Sequence, residues 1–461
     1  MTLIKSISGI RGTIGGKIGE GLSPLDVVKF SAAYGHIVTE RTGIKKIVVG
    51  RDARLSGPMI LRLVVSTLQA LGIEVVDLGL STTPTVELAV PMEKAAGGII
   101  LTASHNPAQW NALKLLNDTG EFISDADGKA VLALAEEMDF DFADIHGLGT
   151  WVEDNSYLQK HIDEVLDLDT VDAAAIAAAD FSIVVDAVNS SGGIFVPALL
   201  EALGVNVIHK IHCEPTGNFQ HNPEPLAENL TDLAKAVVEQ GASLGIAVDP
   251  DVDRLCFMME NGELFGEEYT LVAVADYVLE QTGGGNTVSN LSSTRALRDV
   301  TEKHGGQYFA AAVGEVNVVA KMKEVNAVIG GEGNGGVIYP ATHYGRDALA
   351  GIGVFLTLLA KRGVSISELK KTYPAYFMSK NKINLTPTLD IDGLLSKMEE
   401  KYVHVPHSNI DGLKIDFKDS WVHLRKSNTE PIIRVYTEAT SQEKADDLAE
   451  RIILEIRAII D

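Results

Sequence analysis

Cysteine is nearly absent, with two residues, Cys213 and Cys256, in a chain of 461. One disulfide at most could form, and Cys256 lies in an apolar stretch, so two buried thiols in a reducing cytoplasm are expected. Long apolar runs are missing too. The longest nearly uncharged stretch, Ala348 to Ala360, has 13 residues between Asp347 and Lys361, too short for a bilayer and read as a buried helix. Met1 to Gly12 lacks the apolar core of a signal peptide, which also points to the cytoplasm. Positive charge is in deficit: 39 Lys and Arg face 63 Asp and Glu, a formal net charge of −24. Such a surface repels phosphate backbones and anionic lipid, which excludes nucleic acid and membrane as partners. It would also repel an anionic small molecule, so binding one requires arginines and a metal ion to reverse the potential locally.

What is present is the composition of a soluble globular protein, 46% hydrophobic and 22% charged. At roughly 150 residues per domain the length suggests three or four domains. A supersecondary pattern recurs three times. Strand Ile47–Val49, a helical stretch Met59–Leu71 and strand Glu74–Leu78 form the first copy. Strand Phe181–Asp186, helix Phe195–Leu203 and strand Val205–Ile208 form the second. The third runs from Thr287–Ser289 through helix Thr294–Lys303 to strand Tyr308–Ala312. A glycine ends each helix, where the left-handed conformation is needed, and continuous β-branched strands suit sheets covered on both faces. Three related mixed α/β domains are therefore expected. The last part differs: strand Lys382–Leu385, helix Ile391–Lys401, strands Gly412–Phe417, Trp421–Arg425 and Ile432–Glu438, and helix Ser441–Ile460 describe a smaller α+β domain. The expected divisions are 1–150, 151–254, 255–372 and 373–461, and no low-complexity linker separates them.

Four loops could carry chemistry. Thr102-Ala103-Ser104-His105-Asn106-Pro107 follows the apolar strand Gly98–Leu101 and presents Ser104 at the sheet's rim, where ligands collect in α/β folds. Taken alone it also reads as a solvated Asx-type turn, and it is not a G-x-S-x-G elbow. Asp249-Pro250-Asp251-Val252-Asp253-Arg254 follows strand Leu244–Val248. Three carboxylates at alternate positions of an extended segment point to one side and repel unless a cation lies among them; hard oxygens select Mg²⁺ or Ca²⁺. An EF-hand is excluded because Arg254 stands at the sixth loop position and strands flank the loop. A solvated acidic turn is the remaining alternative.

The third loop, Gly330 to Gly336, has five glycines in seven residues, which lets backbone approach a ligand; Glu332 and Asn334 offer hydrogen bonds to sugar hydroxyls, and a plain glycine turn is the other reading. The fourth, Arg425-Lys426-Ser427-Asn428-Thr429-Glu430-Pro431 with Arg434, gathers cations and hydroxyls as a phosphate cradle. Ser8 to Gly12 with Arg11, Gly50 to Arg54, and Asn111 with Lys114 are weaker signals of the same kind.

The ordered set TASHNP (102–107), DPDVDR (249–254), GEGNG (331–335) and RKSNTEP (425–431) resembles the α-D-phosphohexomutase family nearly end to end. GGEGNGGVIYP (330–340) and the short GIRG (9–12) are most similar to its archaeal-type phosphoglucosamine mutase branch. The resemblance implies a heart-shaped, four-domain molecule with its active site in a central cleft. It implies phosphorylation of Ser104, and Mg²⁺ held by Asp249, Asp251 and Asp253 together with that phosphate, with Arg254 beside them. Glu332 and Asn334 would bind sugar hydroxyls, and Arg425, Ser427, Asn428, Thr429 and Arg434 the non-reacting phosphate. Arg11, His105 and Lys114 match positions near the reacting group, Lys114 as a candidate acid or base. The implied reaction interconverts hexose 6-phosphate and hexose 1-phosphate through a hexose 1,6-bisphosphate. Many phosphomannomutase/phosphoglucomutase members carry histidine where Gly336 stands, which leaves Lys114, His105 or His343 for proton transfer. The preferred substrate is glucosamine 6-phosphate, and glucose and mannose phosphates are the alternatives.

Overall fold

A computed structural model describes residues 2–6, 9–384, 390–426 and 432–460. Each of the three repeated patterns forms a strand, a helix and a second strand paired parallel to the first. These are Lys46–Arg51, Gly57–Ala70 and Glu74–Leu80; Ser182–Asp186, Gly192–Ala202 and Val207–Ile211; and Asn286–Asn290, Ala296–Lys303 and Tyr308–Ala311. The glycines after the helices, Gly72, Gly204 and Gly305, have φ of +75°, +83° and +74°, the left-handed geometry that stops a helix cheaply only at glycine.

The first sheet has seven strands in the order Leu3–Ser6, Gly9–Thr13, Trp110–Leu116, Gly97–Leu101, Lys46–Arg51, Glu74–Leu80, Trp151–Glu153. Strand Lys46–Arg51 is apolar at Ile47, Val48 and Val49 because both faces are covered there. Ile47 and Val49 pack with helices Pro24–Thr42, Gly57–Ala70 and Asp125–Glu137, while Val48 packs with helix Thr83–Met92 on the other side. The second sheet runs Leu255–Met259, Leu244–Val248, Ser182–Asp186, Val207–Ile211, and the third Tyr308–Ala311, Asn286–Asn290, Ala327–Glu332, Gly336–Ile338. Strand Trp151–Glu153 pairs with Glu74–Leu80, and Leu255–Met259 pairs with Leu244–Val248. Sheet pairing thus carries the first two units a few residues beyond 150 and 254, because ladder partners rather than local pattern decide where a sheet ends.

The expected helix at 348–360 spans Ala348–Arg362. The Asp347 side chain caps it, accepting from the amides of Leu349 and Ala350. It is buried over most of its length and joins one hydrophobic core that runs through the second and third sheets. The last unit is a five-stranded antiparallel sheet, Phe377–Asn384, Ile432–Ala439, Ser420–Lys426, Leu413–Asp416, His407–Ser408, backed by helices Ile391–Lys401 and Gln442–Ile460. Arg295 docks it onto the third unit by donating to the carbonyls of Phe417, Lys418 and Ser420. Both thiols are free, Cys256 buried and Cys213 half-buried. Among the described residues no helix is long and apolar enough to cross a membrane.

Candidate active site

Strand Gly97–Leu101 is fully buried, and the chain leaves it in a turn held from beneath. Arg54, with a completely buried guanidinium, donates to the carbonyls of Ser104, Asn106, Pro107 and Trp110, and its Nε lies 3.0 Å from Asp52 Oδ2. Asp52 in turn accepts from Thr102 Oγ1, and Thr102 Oγ1 accepts from the Ser104 amide. Ser104 itself has φ +47°, a conformation that costs on the order of 1–3 kcal/mol for a residue with a Cβ and persists only when its surroundings impose it. The result aims Ser104 Oγ at Asp249, donating to Oδ2 at 2.7 Å, with His105 Nδ1 3.3 Å away.

The acidic loop is not the extended segment expected from its sequence. Val252 has φ +62°, its amide bonds to the Asp249 carbonyl, and Asp249 Oδ1 accepts from the amides of Asp253 and Arg254. A tight turn, rather than strand alternation, brings one oxygen from each of Asp249, Asp251 and Asp253 within 4.8 Å of the others. Asp251 Oδ2 accepts from Thr83 Oγ1 and Lys114 Nζ, and Asp253 Oδ2 from Lys114 Nζ and Arg346 Nη2. The opposite oxygens, Asp251 Oδ1 and Asp253 Oδ1, are buried and have no hydrogen-bond partner among the described residues. Orphaned carboxylate oxygens beside a serine hydroxyl are what a hard divalent cation would occupy, so the residues fit a metal. Burial and the neighbouring Asp253 and Asp251 hold the Asp249 carboxyl well above the usual range. For Asp253, burial acts in the same upward direction but is outweighed by Arg346 and Lys114, which hold it low.

Lys114 is buried, yet the attraction of Asp251 and Asp253 overcomes that burial and keeps its ammonium more basic than usual. His105 is pushed down to about 2 by burial and by Arg254 and Arg11. Arg11 Nη1 donates to Asn106 Oδ1 at 2.9 Å. Arg254 is buried, its Nη1 3.9 Å from Glu224. Arg54, Lys114 and Arg346 are paired with carboxylates, which leaves Arg11 and Arg254 as the cations beside the serine loop in a chain of −24. The local reversal that an anionic ligand needs would be completed by a metal ion in the triad.

Glycines 330–336 form a hairpin between strands Ala327–Glu332 and Gly336–Ile338. Glu332 Oε1 accepts from Asn290 Nδ2 and the Gly314 amide, and Oε2 from Arg346 Nη1; Asn334 Oδ1 accepts from the Gly336 amide. Arg346, which the sequence reading passed over, is the connection between loops. One guanidinium pairs with Asp253 at 2.6 Å, Glu315 at 3.0 Å and Glu332 at 3.0 Å. Glu87 is the second residue missed. It is fully buried, its carboxyl oxygens have no hydrogen-bond partner among the described residues, and burial and Glu315 push it well above the usual range. His343 lies 3.4 Å from both Glu87 and Asp347.

In the fourth loop, Ser427, Asn428 and Thr429 lie outside the described residues. Arg425 and Arg434 are direct cross-strand neighbours. Arg425 Nε lies 2.8 Å from Asp411, whose carboxylate accepts from the Val313 amide; the adjacent Gly314 amide reaches Glu332. The strand end that carries Arg425 is tied in this way to the glycine-rich hairpin. A cavity of about 900 Å³ bounded by Phe265, Tyr269, Tyr373 and Lys380 shares no residue with these loops.

The chain matches, in order, four domain models described as phosphoglucomutase/phosphomannomutase α/β/α domains I, II and III and C-terminal domain, over residues 3–142, 159–262, 266–376 and 383–455. It is 35% identical over 446 residues to a phosphoglucomutase/phosphomannomutase of Thermococcus kodakarensis, covering 95% of this chain and 96% of the relative. It is 32% identical to a phosphoglucosamine/phosphogalactosamine mutase of Sulfurisphaera tokodaii, covering 98% of each. The crystal structure of a phosphoglucomutase/phosphomannomutase family protein from Burkholderia thailandensis superimposes with a TM-score of 0.82 at 26% identity, covering 98% of this chain and 96% of that one. With all four domain models matched in sequence order, the chain belongs to the phosphoglucomutase/phosphomannomutase family.

Proposed function

We propose that this protein is a phosphohexomutase that interconverts glucosamine 6-phosphate and glucosamine 1-phosphate through a phosphoserine at Ser104 and a bisphosphorylated sugar. The observation that carries the reading is the 2.7 Å contact from Ser104 Oγ to Asp249, inside a triad of buried carboxylates with orphaned oxygens. Asp249, Asp251, Asp253 and Ser104 would hold one Mg²⁺. When bound, the ion neutralises charge on the transferring phosphoryl group.

The Ser104 phosphoryl passes to the free hydroxyl of the bound hexose phosphate, breaking the Oγ–P bond and forming the sugar O–P bond. The sugar then turns round, and its other phosphoryl returns to Ser104. Positioning and charge neutralisation supply most of the catalysis in such transfers. Arg11 and Arg254 draw the reacting phosphate toward Ser104. Lys114, held charged by two aspartates, serves as a proton donor or fixed cation rather than as a base. His105 stays neutral beside Ser104 Oγ and can accept a hydrogen bond that orients the sugar hydroxyl, but burial and Arg254 and Arg11 make it too weak a base to keep that proton. Glu332 and Asn334 would orient the sugar ring. Arg425 and Arg434, with Ser427, Asn428 and Thr429, would grip whichever phosphate is not reacting, so that one cradle serves both orientations. The unit at 373–461 would move to open the cleft for that turn.

The amino-sugar choice is supported by the likeness of the glycine loop to the phosphoglucosamine branch and by the Sulfurisphaera relative. The Thermococcus relative favours a second reading, a phosphoglucomutase or phosphomannomutase. Intact-mass measurement after incubation with a sugar bisphosphate tests the mechanism: a gain of one phosphoryl group, absent in Ser104→Ala, is expected, and its absence in the native protein would end the proposal. Comparing kcat/KM for glucosamine, glucose and mannose 6-phosphates tests the substrate. A preference for glucose or mannose would transfer the assignment to the second reading.

A further inference from the structure

A second group of metal-ligand type lies outside the site described above. Asp186 is the last residue of strand Ser182–Asp186, and His212 follows the neighbouring strand Val207–Ile211, whose Ile211 is the register partner of Asp186. His221 returns to the same point from the irregular segment that follows. Asp186 Oδ2 lies 3.1 Å from His212 Nδ1 and 3.1 Å from His221 Nε2, and all three ligand atoms fall within 4.8 Å of one another. Ligands on a tetrahedral ion at 2.0–2.1 Å are separated by about 3.3 Å, close to these spacings.

The hydrogen bond of one far ring nitrogen suits a cation. His221 Nδ1 lies 2.8 Å from the Asn222 carbonyl, an acceptor that requires N–H at that position. His212 Nε2 faces the Asp232 carboxylate at 3.6 Å. Because His221 Nδ1 donates its proton to that carbonyl, the neutral ring turns its Nε2 lone pair toward Asp186. His212 Nδ1, 3.1 Å from Asp186, either donates to it or turns a lone pair to a cation, since 3.6 Å to Asp232 fixes no proton. His221 Nε2 and the Asp186 carboxylate are then two acceptors face to face, a contact that needs a ring proton or a metal cation between them. Outer acceptors of this kind also orient histidines that ligate metals.

We propose that Asp186, His212 and His221 bind a borderline divalent cation of the Zn²⁺ type, separate from the hard-oxygen triad at 249–253. Two imidazoles and one carboxylate suit such an ion better than Mg²⁺. The rings are 17% and 15% exposed, which leaves an entry path and a fourth position for water. The ion would staple residues 212–230, which contain no helix or strand. That segment braces the serine site: Phe219 lies under the Arg54 guanidinium at 5.0 Å, Glu224 faces Arg254, and Gly217 passes against the Ala53 carbonyl. The ion is therefore a positioning element for Arg54 and Arg254.

The test is titration of the full-length, metal-stripped protein with Co²⁺ in a large excess of Mg²⁺, followed by visible absorption. One equivalent with the intense ligand-field bands of four-coordinate cobalt is expected, displaced by Zn²⁺ and lost in His221→Gln and Asp186→Asn. Asp249→Asn, in the other site, should keep the bands. Absence of these bands in the native protein, or their survival in both variants, would overturn the proposal, as would bands lost only in Asp249→Asn. Because the native protein is read directly, a variant that fails to fold does not obscure the result.

Discussion

Gly336 lies directly against Arg346. A Cβ built at position 336 would fall 2.3 Å from Arg346 Cδ, and Arg346 cannot retreat, since its guanidinium is fixed by Asp253, Glu315 and Glu332. The missing side chain at 336 and the arginine at 346 are therefore one arrangement. A side chain at 336 would fall on the cation that joins the acidic loop to the glycine-rich hairpin. Gly336→Ala should destabilise the protein by about 1–3 kcal/mol through overpacking, and Gly336→His should reduce kcat without restoring an acid or base. Urea unfolding and steady-state kinetics on the two variants check this.

Arg346→Met leaves three buried acids with no shared counter-charge. Removing one partner of a buried ion pair typically costs about 3–5 kcal/mol. Arg346→Lys keeps the charge but loses the fork that reaches three carboxylates at once, so it should recover only part of the stability. If both variants unfold at the native urea midpoint, the guanidinium is not the brace between these loops.

Ser104→Ala and Asp249→Asn should each lower mutase turnover by on the order of a thousandfold or more, as expected when a nucleophile or its immediate partner is lost. They should differ in mass: only Asp249→Asn retains a hydroxyl that can carry the phosphoryl group. A phosphorylated Ser104→Ala protein would move the acceptor elsewhere.

Binding of Mg²⁺ should release protons. The apo Asp249 carboxyl is held above the ordinary value of 3.8 by burial and by Asp253 and Asp251. A group raised in the folded state binds more protons there than in the unfolded chain, so its contribution to apo stability falls as pH rises from 3.8 through its folded value. A cation among the carboxylates reverses that penalty, so Mg²⁺ affinity should increase with pH over the same interval. Calorimetry in buffers of different ionisation enthalpy measures the released protons directly.

Much of this was legible beforehand because local pattern carries it. The three repeats follow from strand, helix and glycine spacing, and the serine and acidic loops stand at the ends of apolar strands. The shape of the acidic loop was not. Alternating aspartates imply an extended segment, but Val252 turns left-handed so that Asp249 can accept two amides, a preference no residue type announces. Arg346 was hidden because Gly345-Arg346-Asp347 reads as a surface turn before a helix. Its burial depends on acids at 253, 315 and 332 that only the fold brings together. The available signal was that a 13-residue apolar helix starting at Ala348 leaves little room for solvent at the residues immediately before it. Glu87 gave no signal at all, since it lies in an ordinary helical stretch.

The junction between the third and fourth units should weaken in acid through one histidine. His423 is buried, its Nδ1 2.9 Å from Ser292 Oγ in the third unit and its Nε2 2.6 Å from the Asp411 carbonyl. Burial, reinforced by Lys414 and opposed by the Asp411 carbonyl, pushes its pKa down to about 4. The unfolded chain titrates near 6.5, so below that pH it takes up a proton the folded protein refuses. The contribution of His423 is fully present above 6.5 and is lost as pH falls toward 4, at about 1.4 kcal/mol per unit, or about 2 kcal/mol by pH 5. His423→Asn keeps a polar side chain without the titration, so its urea midpoint should change less than that of the native protein between pH 7.5 and 5. Because Asp411 also faces Arg425, the native protein should show a rise in KM over the same acid range that the variant lacks. An equal loss of stability in both proteins would place the acid-sensitive group elsewhere.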